Sequence, residues 1–180
     1  MLGRRREMMM MNPAWLATMG QANQLIAKGQ PAQAAQIMAQ LAQDVEGRRR
    51  ARPAAIFHAQ AAHAYAAAKN ESNALAQARA ALNLFLQLNI ARRIPKFYDN
   101  ITGKLRTNGI ASAADTLQKE YGDKVQPFRS FASPAAPAQG KRLPSNCPHC
   151  GAAARSDEVD WIDGQSAECN YCGGVIQTEG

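Results

Sequence analysis

The chain has 180 residues and a formal net charge of +7, with 46% hydrophobic residues but only 6% aromatic ones. That length suits one moderate domain plus a small one, and alanine-rich, aromatic-poor apolar content favours closely packed helices over a β-rich core. No run of 18 apolar residues occurs, which excludes a membrane-spanning helix as an expectation and leaves no membrane insertion.

The charge is divided along the chain. Residues 145–180 carry one basic residue, Arg155, against six acids: Asp157, Glu158, Asp160, Asp163, Glu168 and Glu179. The other 20 Lys and Arg precede them, with only 8 acids. Any attraction to polyanions therefore belongs to the N-terminal part.

Residues 1–12 open with Arg4, Arg5 and Arg6 and continue through Met8 to Met11, which starts like an export signal. Asn12, Pro13 and Gln21 interrupt the run before an apolar core can form. The expectation is a disordered tail on a cytoplasmic chain.

Residues 13–124 read as helical and self-similar at a period of 40. Ala22, Leu25, Gly29, Ala34, Met38 and Leu41 fall on Ala62, Tyr65, Lys69, Ala74, Ala78 and Ala81. A further 40 residues on lie Thr102, Leu105, Gly109, Ala114, Gln118 and Tyr121. Ala22 and Leu25 share one face of a first helix, and Ala34, Met38 and Leu41 one face of a second. Gly29 and Gly109 stand where the chain must leave a helix. Pro13, Pro53 and Pro95 fit first turns, where a missing N–H costs nothing. Alanine at facing positions permits close approach of helix pairs, and stacked pairs bury a stripe that one pair cannot.

These positions resemble the tetratricopeptide repeat, with small residues at the eighth and twentieth positions, a large one at the eleventh and a glycine at the fifteenth. Lys69 replaces that glycine in the second unit, and Thr18, His58 and Tyr98 stand where the family has tryptophan. Glu46, Leu86 and Gln126 replace its closing proline, and the family's period is 34. The resemblance implies about three stacked helix hairpins with a concave surface for a peptide or protein. An ordinary alanine-rich bundle is the alternative.

Arg48, Arg49, Arg50 and Arg52 precede Pro53, and Arg92 and Arg93 precede Pro95. Stacked units would bring both clusters to one edge, either as cations favoured at helix C-termini or as a ridge for nucleic acid or an acidic protein. His58 and His63, five apart, are poorly spaced for one metal and read as packing or surface residues. No nucleophile constellation and no phosphate-binding glycine loop is present, so no enzyme is expected.

Residues 125–144 hold Pro127, Pro134, Pro137 and Pro144 among Ala, Ser and Gln, a linker composition. Residues 145–180 contain Cys147-Pro148-His149-Cys150-Gly151 and Cys169-Asn170-Tyr171-Cys172-Gly173. Two CxxC pairs, each followed by glycine, form knuckles that supply four thiolates to one tetrahedral ion. Val159 and Trp161 alternate with acids as a strand does, Asp163-Gly164 is a hairpin turn, a second strand leads into Cys169, and Val175 and Ile176 supply a third.

The segment is similar to a rubredoxin-type zinc ribbon. One structural Zn2+ on Cys147, Cys150, Cys169 and Cys172 is expected, since four sulfurs leave no open position. Iron on the same sulfurs, disulfide exchange and secreted cross-links are lesser alternatives. His149 is read as solvent-facing rather than as a fifth ligand. Trp161 either covers the metal site or is an exposed anchor for a partner. The functional expectation is a non-enzymatic adaptor that binds protein through the helices and the ribbon, with a nucleic-acid-binding accessory protein and an iron redox carrier as alternatives.

Overall fold

The computed structural model describes residues 12–131, 142–156, 159–169 and 174–179. The tail expected over residues 1–12, all but its last residue, lies outside them, as do Cys172 and the linker residues 132–141. The fold is mainly α: α1 (Pro13–Ala27), α2 (Pro31–Gly47), α3 (Ala51–Ala67), α4 (Glu71–Gln87), α5 (Arg93–Thr107) and α6 (Ala111–Val125). A 3-10 turn follows at Gln126–Phe131, and then three short strands, β1 (Asp160–Trp161), β2 (Ser166–Glu168) and β3 (Val175–Gln177).

The helix boundaries have local causes. Asn12 caps α1 by accepting the Ala14 N–H at 2.9 Å, and Pro13 takes the first helical position. Pro31 does the same for α2. Pro53 and Pro95 each stand third in their helices, still within the first turn. Asn70 caps α4 through the Asn73 N–H at 3.2 Å.

Five turns of one construction end α1 to α5. Gly29, Arg49, Lys69, Asn89 and Gly109, spaced 20 residues apart, all have positive φ, between 49° and 81°. After each, the next N–H returns to a carbonyl five residues back: Gln30 to Leu25 at 2.9 Å, Arg50 to Val45 at 3.2 Å, Asn70 to Tyr65 at 2.9 Å, Ile90 to Phe85 at 3.0 Å and Ile110 to Leu105 at 3.0 Å. This is the Schellman closure, which satisfies carbonyls a helix end leaves orphaned. Lys69 thus takes the glycine conformation without being glycine.

Tight turns between packed neighbours make successive helices antiparallel. Ala34, Ala42, Ala62, Ala74, Ala78 and Ala81 are fully buried, and their small side chains set the close approach of α2, α3 and α4. Larger residues fill between: Met38, Phe57, Phe85, Ile101, Leu105 and Leu117 are each at most 2% exposed. Trp15 of α1 meets Phe57 of α3 edge-on at 6.1 Å, and Phe85 of α4 meets Phe97 of α5 at 5.6 Å. Gln118 is exposed, unlike its counterparts Met38 and Ala78. It accepts a hydrogen bond from Arg106 at 2.8 Å. Among the described residues no helix is long and apolar enough to cross a membrane.

The helical body runs further than the sequence suggests. Val125, expected to open the linker, is the last residue of α6 and fully buried. Residues 126–131 continue as a 3-10 turn in which Phe128 packs on the core. Arg129 there makes a two-pronged pair with Asp99 of α5, at 2.9 Å for each bond. Apolar anchoring and a forked ion pair override the proline signal over these residues.

The three strands form one antiparallel sheet in the order β1-β2-β3, with Trp161 opposite Ala167 and Ala167 opposite Ile176. Asp163 shapes the first hairpin by accepting the N–H groups of Gln165 at 2.8 Å and Ser166 at 2.7 Å. Those donors hold its carboxyl below the usual aspartate range.

Candidate metal centre

The first knuckle is closed by main-chain bonds. Cys147 donates its N–H to Ala152 O at 2.7 Å, and Gly151 donates to Cys147 O at 2.9 Å. Gly151 has φ +72°, a conformation other residues adopt only with strain, which explains a glycine immediately after Cys150. Asn146 braces the loop from outside, its Nδ2 donating to Gly151 O at 2.9 Å. In the second knuckle Cys169 donates to Gly174 O at 2.8 Å. Each leading cysteine thus bonds the carbonyl five residues ahead.

This folding brings three of the expected ligands together. Cys147, Cys150 and Cys169 are all at most 4% exposed, and their sulfurs lie within 4.8 Å of one another. None is in a disulfide. Cys150 Sγ and Cys169 Sγ are 3.9 Å apart. A tetrahedral ion with metal–sulfur bonds of about 2.3 Å places its sulfurs about 3.8 Å apart. The donor set therefore fits one thiophilic metal ion. Cys172, the fourth expected ligand, lies outside the described residues.

The neighbouring side chains serve structure. His149 is exposed and its Nε2 meets Val175 O at 3.0 Å. A carbonyl only accepts, so Nε2 carries the hydrogen and ties the first knuckle to β3. Trp161 is 6% exposed and donates through Nε1 to Ser156 O at 3.0 Å. An exposed aromatic anchor at Trp161 is ruled out by this burial: the indole packs inside the ribbon.

Among the described residues, side chains of two helices bond the ribbon at Cys150 and Cys169. Asn23 of α1 donates through Nδ2 to Cys150 O at 3.1 Å. Arg93 of α5 donates to Cys169 O at 3.4 Å and pairs with Glu168. The two arginines before Pro95 thus part company: Arg92 is exposed, whereas Arg93 is 9% exposed and bound within the chain. Arg93 is not part of an open basic ridge. Asn23 has no signal in the sequence, because its partner lies 127 residues away.

Arg48, Arg49, Arg50, Arg52 and Arg92 are all exposed, and among the described residues no ion pair engages them. The antiparallel helix order sets the α2–α3 and α4–α5 turns at one end of the molecule. Arg50 caps α3, Arg52 is its second residue, and Arg92 caps α5. Arg52 and Arg92 thus stand at helix N-termini, where the backbone dipole is positive, whereas Arg48 is the C-cap of α2 and Arg49 and Arg50 follow it, where a cation is favoured.

His58 is buried and spends both ring nitrogens, Nδ1 on Gln77 at 2.6 Å and Nε2 on Glu46 at 3.1 Å. His63 is half-buried as a residue, but its Nδ1 is sealed from solvent without a hydrogen-bond partner. Burial, with Lys104 nearby, pushes its pKa down to about 3. The ring stays neutral, edge-on to Phe97 at 5.4 Å.

No protein-family model matches the chain, and comparison with curated proteins and with solved structures returns no match.

Proposed function

We propose that the protein is a non-enzymatic, zinc-binding adaptor whose stacked, tetratricopeptide-like helix hairpins bind a partner protein. The observation that carries this reading is the identical Schellman turn at 20-residue intervals from Gly29 to Gly109, the mark of one helix-turn unit used repeatedly. Such stacks work by presenting surface rather than by assembling reactive groups.

The ribbon holds one structural zinc ion through Cys147, Cys150, Cys169 and Cys172. Support for Cys172 comes from the matched bonds, Cys147 N–H to Ala152 O and Cys169 N–H to Gly174 O, which bracket the two CxxC pairs alike. The ion supplies order to a segment too short to fold by apolar burial, with binding energies on the order of 10–16 kcal/mol in comparable sites. Elemental analysis of the purified full chain should find one zinc and no colour. A red, iron-loaded protein, or a metal-free one, would remove the zinc assignment.

The adaptor reading is tested by affinity capture with the full chain, followed by binding measurements on each captured protein after purification. A chain that retains no protein, or only proteins that fail to bind once purified, defeats it.

A second reading, a nucleic-acid-binding accessory protein, is favoured by Arg50, Arg52 and Arg92 crowding two helix N-termini without acidic neighbours in those first turns. It predicts affinity for polyanions that falls steeply with salt. Salt-independent binding, or none at low salt, eliminates it.

A further inference from the structure

The central helix α3 is buried on every side. Nine consecutive residues, Ala54 to Ala62, are each at most 6% exposed, which spans two and a half turns and leaves no face to solvent. Its helical neighbours are α2, α4 and α5, with Trp15 of α1 reaching Phe57. In a two-layer stack of hairpins, a helix so placed keeps one face open, and that face is the surface such stacks use for binding. Here the C-terminal ribbon is fastened to the helices on either side of α3: to α1 through Asn23 and to α5 through Arg93. Buried residues of the ribbon, among them Ala152, Val159 and Ile176, belong to the same continuous apolar cluster as Phe57 and Ala62.

We propose that the chain's own ribbon occupies the binding face of the helical stack in cis, and that the metal ion keeps it there. The inference rests on the zinc-adaptor reading. Among the described residues the contact uses the main-chain acceptors Cys150 O and Cys169 O, which belong to the clustered cysteines, and the carboxylate of Glu168, which precedes Cys169. The metal fixes the sulfurs, the knuckles fix the carbonyls, and the carbonyls meet Asn23 and Arg93. Without the ion these acceptors lose their common geometry, the ribbon lets go, and the small apolar side chains of α3 are uncovered. Charge complementarity supports the same occupant, since the acidic ribbon meets a helical body, residues 13–131, that holds 15 Lys and Arg against 7 Asp and Glu. A partner that uses this face must displace the ribbon, so it offers the same chemistry: a carboxylate for Arg93 and exposed carbonyls from an extended, acidic segment.

The test uses the full-length chain, isotopically labelled, with amide NMR spectra and far-UV circular dichroism before and after metal removal by a chelator. The expected result is loss of dispersed ribbon signals together with shifts in α1, α3 and α5, including the Asn23 side-chain amide, while helicity is retained. The double variant Asn23→Ala/Glu168→Gln, loaded with zinc, should keep the dispersed ribbon signals yet show the helical shifts of the chelated protein. Ribbon signals that collapse while α1, α3 and α5 stay in place overturn the cis contact and leave the zinc site standing. Loss of helicity on chelation also overturns it, by making the ribbon an inseparable part of the core. Ribbon signals indifferent to the chelator in a protein without metal sink the zinc reading itself.

Discussion

Single residues in left-handed conformation set the path of the helical body. Arg49 and Lys69 adopt it with side chains that resist it, at φ of 57° and 55°, while Asn89, at 49°, is a residue that tolerates it. Lys69→Gly should therefore stabilise the protein by about 1 kcal/mol, read as a higher urea midpoint with unchanged slope. Gly29→Ala should cost about 1 kcal/mol. Nothing lies within 4 Å of the added methyl, so that loss would be backbone strain rather than collision. His63 carries a pH signature. The unfolded chain takes up a proton near pH 6.5, the usual histidine value, which the folded chain refuses until about pH 3. Between those values the unfolded state binds more protons, so stability falls as pH falls. His63→Leu should flatten that fall relative to the parent chain in urea titrations from pH 7 to 4. An unchanged difference between the two proteins across that range would show that His63 already protonates in the fold.

At the scale of elements, alanine decides how near the helices lie. Ala62 is fully buried on α3, and Ala62→Leu should destabilise by about 1–3 kcal/mol through overpacking, measured by thermal or urea unfolding. The N-termini of α3 and α5 show the opposite economy, with cations set against the helix dipole. Arg52→Glu should raise stability by about 0.3–1 kcal/mol. If the second functional reading holds, the same change lowers polyanion affinity and reduces the salt slope by about one. A variant that gains stability and loses no polyanion binding would leave Arg52 without a ligand-binding role. The starts of α1, α3 and α5 were legible because their causes are local: Pro13, Pro53 and Pro95 in first turns, together with the 40-residue recurrence. Arg49 and Lys69 were not legible as turn formers. Their conformation is imposed by the helices on either side rather than by their own preference, whereas Asn89 is a residue that favours such a helix end.

The whole molecule is two regions of opposite charge, and bonds between residues far apart in the chain connect them. The Arg93–Glu168 pair and the Asn23–Cys150 bond connect residues 75 and 127 positions apart. If Cys172 completes the four-thiolate site proposed above, Cys172→Ser should lower zinc affinity by orders of magnitude, measured by chelator competition. A Cys172→Ser chain that holds zinc as tightly as the parent would remove Cys172 from the ligand set. The cluster of Cys147, Cys150 and Cys169 was legible because CxxC spacing is itself the geometry of a knuckle. Trp161 was legible only as a choice between two roles, and burial with its bond to Ser156 decides for the interior.

The sequence by itself determined what depends on neighbours three to five residues apart: helix faces, caps, knuckles and the strand pattern of the ribbon. Tertiary structure alone decided what depends on contacts between distant segments. It separated Arg93 from Arg92, carried the helical body on to Phe131, sealed His63 Nδ1 and laid two cysteine carbonyls against Asn23 and Arg93. Adjacent helix positions point about 100° apart. Which of two neighbouring arginines turns inward is therefore settled by what packs against the helix, and no local pattern records it.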